Sequence, residues 1–376
     1  MRRISVLIPA CLLALFMVML VAGVASAQQE GTDRQSTQPE STQPTESTQQ
    51  QAGTQPESLI VRPDESIQEA VDAAEPGDTI VVKKGIYNET VVIDKDGISL
   101  RGVKAVLEPP SEPTEGPCEG AGFCVLGDVD FQTGEVSEYV EDVSISGFTI
   151  RDFSVYGIVG FGAKDAKFVK NRSFDNGEYG ITTFFSTGTK IISNEVSGAE
   201  DAAIYVGDSP IAKTNIVHNE TYDSASGILI RNSLQGRIIA NNAHDNCVGI
   251  VFIADAPGPA GEFDVNGNKV HDNIGACPAT AETPALSGVG IGLLGARDVE
   301  VHGNQILDNV PSDPQAFSGG VLAVRGIEGT PPTDNTVTGN TILRNEPDIF
   351  WDETGSGNRF EPNNCETSVP EGLCKR

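Results

Sequence analysis

Apolar and polar positions divide the chain into stretches of very different character. An uncharged apolar run from Ile4 to Val24 follows Arg2 and Arg3 and ends beside Ala25-Ser26-Ala27, a small-x-small site of the kind signal peptidase reads. Residues 1–27 are therefore expected to be an export signal, although the run is also long enough to stay in a bilayer as an anchor. Residues 28–57 repeat Ser, Thr, Gln and Pro with almost no apolar side chain, so they cannot bury enough surface to offset the entropy of ordering. They are expected to be a disordered tether. From Ser58 to Asn345 short runs of Val, Ile and Thr alternate inward and outward positions, the period of β-strands. Residues 346–376 are expected to form a C-terminal cap.

The strand-rich region repeats. Asn171-Arg-Ser-Phe-Asp-Asn recurs with variation at Asn219, Asn241, Asn268, Asn304 and Asn340, with a degenerate copy at Asn194. The starts are 22 to 27 residues apart and then 36 twice, a coil period interrupted by insertions. Each coil also holds a Gly-Ile strand, as at Tyr156-Gly-Ile, Tyr179-Gly-Ile, Ser226-Gly-Ile and Val248-Gly-Ile. Strands this short gain stability by stacking, so that hydrogen bonds run along one axis and the apolar residues fill one column. The expected fold is all-β, a right-handed parallel β-helix, with the repeated Asn side chains stacked in a ladder. An open solenoid end needs a cover. Ser66-Ile-Gln-Glu69 reads as a capping box, and Ile67, Ala70, Val71 and Ala74 share one helical face, which predicts a short N-terminal capping helix. Thr79–Val82, Thr90–Ile93 and Ile98–Leu100 read as the first strands.

The stretch from Ser66 to Gly102, followed by these coils, resembles the pectin lyase-like superfamily of right-handed β-helix proteins. The resemblance covers about three quarters of the chain and speaks for fold more than for activity, because lyases, glycosidases, epimerases, phage spikes and non-enzymatic modules share the architecture. The Gly-His-Gly and paired-Asp motifs of polygalacturonase-like enzymes are absent, as is the Asp-Pro-His segment of alginate-epimerase-like enzymes, whose nearest counterpart is Gly207-Asp208-Ser209-Pro210. The arginine-rich motif of pectate lyases is missing too. The helix also looks like that of copper-loading accessory proteins of nitrous oxide reductase. All three Met residues fall in the expected leader and the His residues are scattered, so soft copper ligands are scarce.

Charge and cysteines narrow the setting. The net charge of −28 becomes more negative once Arg2 and Arg3 are removed, and no basic patch is visible in the sequence, which argues against nucleic acid or an anionic membrane surface as partner. Beyond the leader, Cys118, Cys124, Cys247, Cys277, Cys365 and Cys374 are an even number without a Cys-x-x-Cys pair. Disulfides in an extracellular or cell-surface protein are expected. Sequence neighbours suggest 118 with 124 and 365 with 374, which leaves 247 with 277.

Stacking brings equivalent positions of successive coils about 4.8 Å apart. Glu178 and Asp201 then fall in one column. Such a pair suits a retaining glycosidase or a calcium site that neutralises a uronate, and no other metal site is expected. In a chain with 53 acids, solvated turn carboxylates are the plainer explanation. The insertions Gly275–Ser287 and Val310–Ser318 leave at the same corner and would wall this column, with Cys247–Cys277 pinning the first. Tyr205, Asp208 and Arg231 are expected outward nearby, offering a stacking ring and a carboxylate fork, or merely a surface ion pair. Tyr222, His244 and His271 share another outward column that could stack on sugar rings or supply a general acid or base. Two functions stay open: a polysaccharide lyase or hydrolase using Glu178, Asp201, Asp208 and Arg231 with Tyr205, Tyr222, His244 and His271 as binding residues, and a non-catalytic module that binds polysaccharide or cell-wall glycan.

Overall fold

The structure, a computed structural model, describes residues 58–255, 258–279, 285–312 and 317–374. The expected export signal and tether lie outside the described residues. Three long parallel sheets run along one axis. Each coil crosses them in turn, for example through Lys167–Val169 on the first face, Arg172–Phe174 on the second and Tyr179–Phe184 on the third. The pairings are parallel and in register from coil to coil, so equivalent residues stack. Ile158, Ile181, Ile204, Ile228, Ile250 and Ile291 form one such interior column, each fully buried. The repeat is thus a right-handed parallel β-helix. Stacking runs on through Ile349–Trp351 and Ser368–Val369 on the third face.

The corners explain the Asn repeat. At the corner between first and second faces, the backbone N–H of Asn171 donates to Oδ1 of Asn194, and the same bond recurs through Asn219, Asn241, Asn268, Asn304, Asn340 and Asn363. Each amide nitrogen returns a bond to a strand carbonyl of the preceding coil, as Asn194 Nδ2 does to Phe168 at 2.9 Å. From Asn171 to Asn340 the residue before each ladder Asn is left-handed, with φ of +55° at Lys170, +56° at Ser193 and +57° at His218. That conformation turns the chain in one step but leaves backbone groups the next strand cannot reach. The amide supplies the missing partner. A second Asn ladder, Asn246, Asn273, Asn309 and Asn345, serves the corner between second and third faces, and Ser186, Ser209 and Ser233 serve part of the third corner.

The glycine of the Gly-Ile signature answers to space. A Cβ on Gly249 would lie 2.3 Å from Val270 Cγ1, and one on Gly290 2.6 Å from Ile306 Cγ2. The third face therefore approaches the second too closely for a side chain there.

At the N-terminal end the helix Ile67–Ala73 buries Ile67 and Val71 over the first coils. Ser66 Oγ accepts from the Glu69 N–H as expected. The reciprocal carboxylate differs: Glu89, from a neighbouring coil, accepts from the N–H groups of Ile67 and Gln68 and from Ser66 Oγ, while Glu69 stays exposed. A negative charge at this end also suits the helix dipole. The expected strands appear at Thr79–Val82, Val91–Ile93 and Ser99–Gly102. Three disulfides join Cys118 to Cys124, Cys247 to Cys277 and Cys365 to Cys374, the pairing that sequence proximity suggested.

Asn241→Ala removes the acceptor for the buried N–H of Asn219 and the donor to Ile216. Denaturant unfolding is expected to show a loss of about 2 to 4 kcal/mol, because partners are left unpaired in the interior.

Candidate functional site

First-face and second-face strands mostly alternate buried and partly exposed residues, but the third face is buried on both sides. Every residue of Ala202–Gly207 and of Val248–Ile253 is buried. The inner side belongs to the core. The outer side carries a second apolar layer containing Tyr179, Tyr205, Leu229, Val251 and Leu322. The first insertion folds back over this layer, where Cys277 and Leu286 exchange backbone hydrogen bonds at 3.0 Å and the disulfide ties Cys277 to Cys247 on the sheet.

A cleft of about 270 Å³ remains between the insertion and the sheet. Its floor is Leu229, Val251, Val289 and Leu322, its walls are Cys277, Pro278, Leu286 and Ile327, and its polar end is Glu200, Asp201 and Arg231. The disulfide thus fixes one wall of the cleft to its floor.

Glu178 and Asp201 occupy equivalent positions ahead of Tyr179 and Ala202, as the repeat predicted, and the Asp201 N–H donates to the Glu178 carbonyl at 3.1 Å. The Tyr179 hydroxyl donates to Asp201 Oδ2 at 2.9 Å. Burial pushes the Asp201 carboxyl above its ordinary range, opposed by the Tyr179 hydrogen bond and the Arg231 charge. Glu178 is raised by desolvation and then by the Asp201 charge, although its side chain reaches solvent. Burial drives the Tyr179 hydroxyl far above its usual value, so it remains a donor.

Arg231 does not pair with Asp208. Its Nε and one terminal nitrogen both reach Asp255 Oδ2, at 2.9 and 2.6 Å, while Asn232 donates to Asp255 at 2.5 Å and to Asp208 at 3.3 Å. Burial would lower the Arg231 guanidinium, yet its hydrogen bond to Asp255 and the charge of that carboxylate hold it above normal. Asp208, raised by burial, lines a separate cavity of about 350 Å³ with Phe185, Pro210 and Ile211. Tyr205 is 3% exposed, so the free stacking ring expected of it is absent. Its face packs on Tyr179 at 4.4 Å, since the outer side of this sheet is itself covered.

The column on the second face forms as expected. Tyr222 stacks on His244 at 5.4 Å and His244 on His271 at 5.2 Å. The rings spend their faces on one another, and their edges are also engaged. His244 meets Asp245 and Glu220, His271 meets Asp272 and Asn242, and Tyr222 donates to Glu195. This column faces away from the cleft. The structure therefore joins Glu178, Asp201 and Arg231, adds Tyr179, Asn232 and Asp255, and leaves Asp208 and the ring column elsewhere. Tyr179 carried a signal in the Tyr-Gly-Ile strand directly after Glu178. Asp255, after a strand in a coil with its own loop, carried none.

Residues 127–275 match the model of a family described as NosD, periplasmic copper-binding protein. No curated protein sequence matches the chain. Among solved structures, the A-module of the mannuronan C-5 epimerase AlgE6 of Azotobacter vinelandii is similar, with 18% identity, a TM-score of 0.54 and coverage of 80% of this chain and 86% of that one. The A-module of AlgE4 from the same organism is similar with 18% identity and a TM-score of 0.53, covering 80% of this chain and 88% of that one. The coils, corner ladders and these likenesses together identify the fold as a right-handed parallel β-helix.

Proposed function

We propose that this chain is an exported carbohydrate-active protein whose third-face cleft receives a polysaccharide, with Glu178 and Asp201 as its acid and base. The observation that supports the reading is the carboxylate pair itself: two acids one coil apart, both raised by burial, with Asp201 at the polar end of a cleft whose wall a disulfide fixes. Perturbed carboxylates beside a cleft are a mark of acid–base sites. Glu178 reaches solvent and would deliver a proton to the glycosidic oxygen. Asp201, held as an acceptor by Tyr179, would take a proton from water or from the sugar. The three disulfides point to an oxidising compartment, and among the described residues no helix is long and apolar enough to cross a membrane.

A non-catalytic glycan-binding module is the second reading. It is favoured by the apolar floor and by Asp255, which already neutralises Arg231 at the polar end of the cleft.

Copper fits this chain poorly. Within the matched segment Cys247 is in a disulfide, the edges of His244 and His271 are engaged, and among the described residues no three His, Cys, Asp or Glu are gathered to hold a metal ion. Calcium at Glu178 and Asp201 would need further oxygen ligands from the substrate or water.

The proteins named above as mannuronan epimerases make polyuronates the first substrates to try, alongside neutral glycans, with and without calcium. Unsaturated products or new reducing ends are expected, and Asp201→Asn with Glu178→Gln should lower the rate at least about 100-fold. A folded chain that binds glycan but yields neither product supports the module instead.

Asp201 also predicts a pH signature in stability. Its folded pKa is raised, so ionisation is penalised in the folded state; the penalty is absent below the ordinary value of 3.8 and grows as the pH rises through the raised folded value. Asp201→Asn keeps an acceptor for Tyr179 and cannot ionise. Its melting temperature is expected to exceed that of the parent at neutral pH, with the difference vanishing as the pH falls below 3.8.

A further inference from the structure

The outward side of the first face carries a charge pattern that the sequence alone conceals. Parallel register stacks Lys167, Lys190, Asn215, Arg237, Asp264 and Glu300 in one column, cations toward one end and anions toward the other. Like charges sit on adjacent coils at both ends, an arrangement that costs stability in a lone molecule. Lys167 has a partner in Asp142 at 3.5 Å and Asp264 one in His302 at 2.8 Å. Lys190 and Arg237 are exposed and form no ion pair among the described residues. The neighbouring outward column is a half-buried apolar ridge of Val169, Ile192, Val217 and Ile239.

The column is complementary to its own reverse. A two-fold axis parallel to the strands, passing between Asn215 and Arg237, would set Lys190 against Asp264 and Lys167 against Glu300 of a second copy. The same operation places Val217 of one copy against Ile239 of the other at the centre. We infer that the first face is an isologous dimer interface, in which two copies pack antiparallel through this column. An apolar centre within a charged rim is the usual anatomy of such a contact. The net charge of −28 opposes association, but at physiological salt repulsion beyond about 8 Å is screened while contacting pairs are not.

The test is sedimentation of the exported protein at physiological ionic strength, with variants and zero-length carbodiimide cross-linking. The parent is expected to dimerise. Lys190→Glu and Asp264→Lys should each weaken the dimer by about tenfold or more, since each change acts twice across the axis, and the combined variant should restore it. Within one chain Lys190 and Asp264 are three coil steps apart, about 14 Å, so a Lys190–Asp264 cross-link has to join two copies. That readout needs no variant. A parent that stays monomeric, a dimer indifferent to both reversals, or a double variant that does not recover would overturn the inference. So would a monomer that binds polyuronate and loses that binding in Lys190→Glu, because the face would then be an anion site.

Discussion

The amide ladder at the corners is the constraint on which the rest of this molecule depends. A solenoid coil has to turn three times within about two dozen residues, and each turn leaves backbone groups out of reach of the sheet hydrogen bonds. Stacked Asn side chains close that gap from one coil to the next, with bonds of 2.8 to 3.0 Å along the first ladder. Because each rung takes its acceptor from the following coil, register is set by the corners and carried to every face. The stacking of Glu178 on Asp201, of Tyr222 on His244 and of Lys167 on Lys190 all follow from it.

Such a scaffold turns sequence period into surface chemistry. Inward columns are mostly aliphatic or Phe, with small residues where the faces approach closely, whereas outward columns are free to repeat a charge, a ring or an apolar side chain. The third face uses that freedom differently from the other two. Its outer side is roofed by an insertion that the Cys247–Cys277 disulfide holds down, so the cleft combines a dry floor with acids at one end. Desolvation there raises Asp201, which on an open coil would be an ordinary solvated acid.

What the sequence disclosed and what it concealed divide along the same line. Repeats of Asn and Gly-Ile announce the coils, the ladder and the shared column of Glu178 and Asp201, because alignment of repeats converts directly into proximity. Tyr205 was misjudged as an outward, accessible ring: alternation tells which side of a sheet a residue faces, not whether a loop covers that side. The partner of Arg231 was hidden for a related reason, since Asp255 follows a strand in a coil whose loop breaks the period. Charge balance misled in the same way. A chain with 53 acids showed no basic patch in linear order, yet stacking gathers Lys167, Lys190 and Arg237 on one face.

The central claim is that the third-face cleft is where this protein meets a glycan. Hydrogen exchange of the folded chain with and without a bound oligosaccharide tests it most directly. Protection concentrated in residues 199–205, 225–231 and 285–294 is the expected result, since these segments carry the acids, the floor and the pinned wall. Protection confined to the ring column around Tyr222, His244 and His271, with the cleft unchanged, would contradict it.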